Sequence, residues 1–276
     1  MHFNYSGRLF TFGCSFTQYT WPTWADILGE QFKVTENWGR SGSGNQYIFL
    51  SLIEAISSRK ITSDDTVIIM WSTVNRHDWY REHQWHGHGD IDVNSAAYPT
   101  DVIENFLSDN KGALMRDLAY ITAAKAVLKS ANIPHEFLSI APIINESYIG
   151  ISKGMYVDDI EHVYSNTISL IKPSVLEVIF HGDWFSRPGI AIGKTPPAVI
   201  ADSSPYHFSE KVKQWAYSVV SKRDPHPTPA EHLEYLEKTF PDIEISEYTR
   251  DRVSNANKML LAGDIFEWYT GTQNRL

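Results

Sequence analysis

Asp65-Thr66-Val67-Ile68-Ile69-Met70-Trp71 carries an unbroken apolar run. A strand with one wet face alternates apolar and polar residues, whereas a strand covered on both faces reads as a continuous hydrophobic run. This segment therefore requires a sheet with helices on both sides, and its flanks supply them. Residues 8–13 form a β-prone run closed by glycine. Residues 21–30 read as a helix, with Pro22 in the first turn and Trp24, Ile27 and Leu28 at helical spacing. A second strand is expected over 33–37 and a second helix over 46–59, where Ile48, Leu52 and Ile56 share one face. An Ala-, Leu- and Lys-rich helix over 114–131 leads into a strand over 133–140, with Pro134 at its start, where a missing N–H does least harm. Strand–helix alternation of this kind predicts an α/β fold, a parallel sheet in a three-layer α/β/α sandwich.

The remainder is less regular. Residues 76–111 are polar, His-rich and weakly periodic, and read as a long insertion or lid. A second insertion spans 141–205, with a helix expected over 157–170, a strand over 176–180, and Pro188, Pro196, Pro197 and Pro205 breaking up the rest. Residues 207–221 carry a helical stripe of Phe208, Val212, Trp215 and Val219. Asp224-Pro225-His226-Pro227 reads as a turn. Thr228-Pro229-Ala230-Glu231 then opens a helix, with Thr228 as N-cap and Glu231 completing a capping box. A last helix is expected over 246–261. The organisation predicted is a single α/β domain over 1–240, with a helical extension over 241–276 packed on it.

Composition excludes several classes. Apolar residues make up 42% of 276, enough for a sizeable core. A net charge of −9 argues against a general nucleic-acid binder. No apolar run reaches the roughly 18 residues of a membrane span, and no secretory leader is visible at the start. Cys14 is alone, so no intrachain disulfide forms, which suits a reducing compartment. A cytoplasmic protein is expected, or a virion-associated one if phage-encoded, without cofactor, nucleic-acid or membrane partner.

Sites in open parallel sheets lie at the carboxyl ends of the strands. Ser15, the glycine turn Gly39-Arg40-Ser41-Gly42-Ser43-Gly44 and the segment Ser72-Thr73-Val74-Asn75 each follow directly after an expected strand. Three polar segments thus converge on one sheet edge. Taken singly, each has a plain structural role: Ser15 as a helix N-cap, the glycine turn as a simple loop, His226 as a turn residue between prolines.

Four short blocks in this order resemble the SGNH (GDSL-like) hydrolase family: Phe12-Gly13-Cys14-Ser15-Phe16-Thr17, Asn37-Trp38-Gly39-Arg40-Ser41-Gly42, Trp71-Ser72-Thr73-Val74-Asn75-Arg76 and Asp224-Pro225-His226-Pro227. The compact, aromatic-rich style is similar to phage-encoded members. The resemblance implies a flavodoxin-like parallel sheet and a serine esterase. In it, Ser15 is the nucleophile, His226 the base and Asp224 the orienting acid. The Ser15 and Gly42 backbone N–H groups and the Asn75 amide are its oxyanion donors. Acyl transfer needs these types: a hydroxyl is a poor nucleophile until a base takes its proton, and the oxyanion needs donors fixed beforehand. Four departures stand out. Cys14 replaces the family's Asp and is expected to support the loop. Thr73 and Arg76 alter the third block, which leaves Asn45 as an alternative donor to Asn75. Asp224 precedes His226 by two residues rather than three. The orienter is therefore open between Asp224, a backbone carbonyl, Asp183 and Asp202.

Other groups have two readings each. His83, His86, His88, Asp90 and Asp92 are metal-ligand types, but their spacing matches no metal motif, and a solvated loop is the preferred reading. Trp71, Trp79, Trp85 and Tyr80 either wall a pocket suited to sugar rings or anchor the insertion to the core. Arg40 and Arg76 either bind an acidic substrate group or pair with Asp78 and Glu82. The preferred substrate is an O-acetylated saccharide. A glycan-binding or scaffold protein without activity, and an O-acyltransferase using Ser15, are the competing functions.

Overall fold

A computed structural model describes residues 3–74, 76–90, 99–107, 109–144, 157–181, 224 and 226–262. Four strands form its main sheet: β1 (Arg8–Phe12), β2 (Val34–Asn37), β3 (Thr66–Trp71) and, further along the chain, β6 (His135–Ser139). Their order is β2-β1-β3-β6 and every pairing is parallel. This is the flavodoxin-like order, in which the crossover direction reverses between β1 and β3. A fifth position is reduced to one parallel bridge between Phe137 and Ile171.

Side-chain alternation along the strands sorts the core into two halves. Phe10, Phe12, Val67, Ile69, Trp71 and Phe137 face one way. They pack on α2 (Asn45–Arg59), α3 (Asn110–Ser130) and α4 (Val157–Ile168), through residues such as Leu52, Leu118, Ile121 and Ile160. Leu9, Ile68, Met70 and Leu138 face the other way. They meet α1 (Trp24–Gly29), α5 (Val175–Phe180), α6 (Pro229–Thr239) and α7 (Glu247–Ala262), through Ile27, Leu28, Val175, Tyr235 and Val253. Each β3 residue is buried, as its unbroken apolar run demands. The expected three-layer α/β/α arrangement is thereby observed, and α7, from the C-terminal extension, shares the second core. No helix among the described residues is long and apolar enough to cross a membrane.

One expectation needs correction and another gains detail. Residues 176–180 are not a strand. Ser174 caps α5, its hydroxyl accepting from the Glu177 N–H at 3.2 Å while the Glu177 carboxylate accepts from the Ser174 N–H at 2.8 Å. This capping box outweighs the β-prone Val-Leu-Glu-Val-Ile-Phe composition. Within the expected insertion over 76–111, residues 76–90 form an antiparallel hairpin, β4 (Arg76–Arg81) and β5 (Gln84–Asp90). Its two-residue turn is Glu82-His83, both left-handed, with φ of 53° and 63°. Such turns normally advertise themselves through Asn-Gly or Asp-Gly. Expected structure over 207–221 lies outside the described residues.

Candidate active site

β1 ends at Phe12 and the chain turns at once. A Cβ on Gly13 would lie 2.0 Å from Thr17 Oγ1, so only glycine fits there. The Thr17 and Gln18 N–H groups both donate to the Cys14 carbonyl, winding one helical turn around Ser15. Cys14 is fully buried among the apolar residues of the second core, as a loop support should be. At the end of β2, Asn37 ties this loop to the next. Its Nδ2 donates to the Thr17 carbonyl at 2.7 Å and its Oδ1 accepts from the Gly39 N–H at 2.9 Å.

Ser15 is only 6% exposed, and its Oγ lies 2.8 Å from His226 Nε2. On the other side of the ring, His226 Nδ1 lies 2.7 Å from Asp224 Oδ1. The same oxygen accepts the His226 backbone N–H at 2.9 Å. That second bond explains why a spacing of two residues suffices: an Asx turn brings a carboxylate back to the residue two positions on. Asp183 and Asp202 lie outside the described residues. Burial opposes ionisation of Asp224, but hydrogen bonds from His226 and Tyr19 hold its carboxyl below the usual carboxylate range.

Tyr19 was not among the sequence candidates. Its hydroxyl donates to Asp224 Oδ2 and its ring stacks on His226, with centroids 4.0 Å apart at 21°. Trp21 edges against Tyr19 and donates its indole N–H to the Pro227 carbonyl at 2.7 Å. Phe16 approaches the imidazole at 5.3 Å. The loop carrying Ser15 thus also cradles the loop carrying His226. An aromatic four residues past Ser15 is the one hint available in the sequence, because the partner is 205 positions away.

The glycine turn after β2 rises beside the hairpin. Gly42 has φ 78°, and its carbonyl accepts from the Gly89 N–H at 2.9 Å. A Cβ there would approach the Gly87 carbonyl oxygen to 2.9 Å. Gly42→Ala is therefore expected to cost about 1–2 kcal/mol from left-handed strain alone, and more if the hairpin shifts. An unchanged thermal melt would contradict this.

Below the turn lies a buried polar network. Asp78, on β4, accepts from the Gly44 N–H at 2.8 Å and the Tyr47 N–H at 2.9 Å, capping α2 from outside its own segment. Burial raises the Asp78 carboxyl despite these bonds. Asn45 accepts the Ser72 N–H at 2.7 Å and donates to the Ser72 carbonyl at 3.1 Å and to Asp117 at 2.8 Å. Its amide is committed to this network, so Asn45 is not the alternative oxyanion donor. Arg116 bonds Asp117 at 2.8 Å and donates to the carbonyls of Val74 and Arg76 at 3.3 and 2.9 Å. His77 accepts from the same guanidinium; burial and that charge lower its pKa to about 4. Asn75 itself lies outside the described residues.

Among the other sequence candidates, Arg76 donates to Thr73 Oγ1 and the Ser43 carbonyl, both at 3.1 Å. Glu82 pairs with Arg81 rather than with either candidate arginine. Arg40 lies over the Tyr47 ring at 6.0 Å. Trp79 stacks on His86, and Trp85 packs between Tyr47 and Tyr80. Trp71 is fully buried against Phe137, so it is core and walls no pocket. Among the described residues no cluster of three or more His, Cys, Asp or Glu is arranged to hold a metal; Asp92 lies outside them.

No family model and no curated protein matches the sequence. The chain is similar in structure to lipolytic proteins of the G-D-S-L family. One, from Desulfitobacterium hafniense DCB-2, is 16% identical, with 63% of this chain and 80% of that one covered at a TM-score of 0.36. Another, from Veillonella parvula DSM 2008, is 11% identical, with 86% and 100% covered at 0.39. A psychrotrophic esterase, EstA from Pseudoalteromonas sp., solved with monoethylphosphonate as inhibitor, is 13% identical, with 66% and 85% covered at 0.34.

Proposed function

We propose that this protein is a serine esterase of the SGNH type, acting through an acyl-Ser15 intermediate. The observation that carries the reading is the continuous chain Ser15 Oγ, His226 Nε2, His226 Nδ1, Asp224 Oδ1, with links of 2.8 and 2.7 Å. A nucleophile hydrogen-bonded to a base, whose far nitrogen faces a buried carboxylate, is the arrangement that acyl transfer requires.

In the first half-reaction, Ser15 Oγ bonds to the ester carbonyl carbon and its proton passes to His226 Nε2. The oxyanion is held by the Ser15 and Gly42 N–H groups and the Asn75 amide. Collapse breaks the bond to the alcohol, which leaves with the proton from Nε2. Water then repeats the sequence on the acyl-enzyme, releasing the acid and restoring Ser15. Asp224 stays ionised and stabilises the imidazolium in both halves.

The substrate class we favour is an O-acetyl group on a saccharide. Support comes from the hairpin, which bonds to the Gly42 turn and carries the stacked Trp79–His86 pair and an exposed Tyr80. Flat rings with a polar handle suit sugar faces, and Arg40 offers a cation for an acidic sugar.

A fluorophosphonate probe followed by peptide mapping tests the reaction class. Labelling at Ser15, lost in Ser15→Ala, is the expected result; a protein that resists the probe and leaves small acetyl esters intact overturns the reading. Acetate released from an O-acetylated polysaccharide, with and without an acceptor sugar, tests the substrate and separates hydrolysis from transfer.

A further inference from the structure

Tyr19 has no part in the bond-making steps, yet it touches two of the groups that take part. Asp224 is 1% exposed, and one of its oxygens takes both the backbone N–H and Nδ1 of His226. A buried carboxylate whose second oxygen lacks a donor is held on one side only and is free to rotate. Here that second oxygen, Oδ2, accepts the Tyr19 hydroxyl. The Tyr19 ring meanwhile covers one face of the imidazole. Trp21 buttresses Tyr19 edge-on at 4.5 Å and anchors the base's loop through the Pro227 carbonyl.

We propose that Tyr19 is a positioning residue for the acid–base pair: its hydroxyl fixes the carboxylate so that one oxygen serves His226 alone, and its ring locks the imidazole plane. The kinetic consequences rest on the esterase reading; the geometric role does not. Burial, the charge of Asp224 and the hydrogen bond to it all raise the Tyr19 hydroxyl above its ordinary value. Tyr19 therefore keeps its proton and remains a donor throughout the cycle. The Ser15 proton travels to Nε2 and on to the leaving alcohol, while the Nδ1 proton and the Tyr19 proton stay where they are.

The sign of the effect follows. Among the described residues, Asp224 from its own loop and Ser15, Phe16 and Tyr19 from the loop after β1 face the imidazole. A hydroxyl donated to Asp224 draws carboxylate charge away from the oxygen that faces Nδ1. Removing it concentrates charge there and favours the protonated ring. In Tyr19→Phe, which keeps the stacking ring, the acid limb of kcat/KM should move to higher pH by about half to one unit. Activity on the alkaline plateau should fall by about tenfold, the scale of one hydrogen bond to an ionised group. Tyr19→Leu, which loses the stack as well, should show the same shift and a larger fall.

A second readout needs no turnover. In the resting protein, the low-field proton resonance of His226 Nδ1–H, assigned by its loss in His226→Gln, should move further downfield in Tyr19→Phe as its hydrogen bond strengthens. A resonance and an acid limb both unchanged in Tyr19→Phe overturn the proposal, whatever happens to the melting temperature. A wild-type protein that cleaves no ester overturns the esterase reading instead, and the resonance still decides the role of Tyr19.

Discussion

His226→Ala is expected to lower kcat/KM on a small acetyl ester by about 10⁵-fold or more, with little change in thermal stability. The size follows from how a nucleophile and its base act as one unit. Removing either costs nearly as much as removing both, because an unassisted hydroxyl cannot shed its proton as it attacks. The neutral effect on folding follows from the local structure. His226 is a part-buried loop residue, and its loop is still held by the Trp21 bond to Pro227 and by the Thr228 cap of α6. Steady-state rates beside a denaturation curve make the measurement. More than about one hundredth of wild-type activity in a folded variant would remove His226 from the role of base.

The second large effect concerns stability. Asp117 is fully buried, bonded by Arg116 and Asn45. Asp117→Ala should cost about 3 kcal/mol, because it breaks the ion pair with the half-buried Arg116 and leaves one N–H of the buried Asn45 amide without its acceptor. For a chain of this size that corresponds to a fall in Tm of roughly 6–12 °C. The loss also depends on pH. Burial pushes the Asp117 carboxyl up to about 6, against the pull of Arg116 and Asn45. A raised folded value means that the native state binds an extra proton between about pH 4 and this value. The associated stability is fully present below about pH 4 and is lost as pH rises through about 6. Denaturation of wild type and variant at about pH 4.5 and about pH 7 should therefore differ more at the lower pH. Equal differences at both would sink the assignment.

Activity should suffer too, for a reason visible in the connections. Asn45 holds both backbone polar groups of Ser72, and Arg116 holds the carbonyls of Val74 and Arg76. Asp117 links the two donors. The described residues after β3 are thereby held from α2 and α3.

What the sequence made legible was whatever leaves a local trace. The unbroken apolar run of β3, the stripes of α1 and α2, the Ala-, Leu- and Lys-rich composition of α3, and the Thr228-Pro229-Ala230-Glu231 signature of α6 are all written in short windows. Ser174 and Glu177 form an equally local signature, masked by the β-prone run from Val175 to Phe180. The hairpin was hidden for another reason. Glu82 and His83 occupy positions that glycine or asparagine would normally announce, and the strands owe their pairing to tertiary contacts at Asp78, Gly42 and Gly44. At the site, the family resemblance implied Ser15 and His226 and left the orienting acid open with Asp224 among the candidates, and the structure brings the three side chains within hydrogen-bond reach. Tyr19 was invisible because nothing near it in the chain reports on Asp224. Asp117 and Arg116 were invisible because a long amphipathic helix hides two inward polar residues among many.

The Ser15–His226 contact spans 211 positions and the Trp21–Pro227 bond spans 206. Loop closure over such distances is entropically late, since nearer contacts reward the chain sooner. On the ribosome, the β1 loop emerges long before the residues that complete it. Ser15 therefore meets His226 only once the second core has closed over α6. A covalent probe of Ser15 applied during refolding thus times the last long-range closure of the fold, separately from the rise of helix signal that marks its first steps.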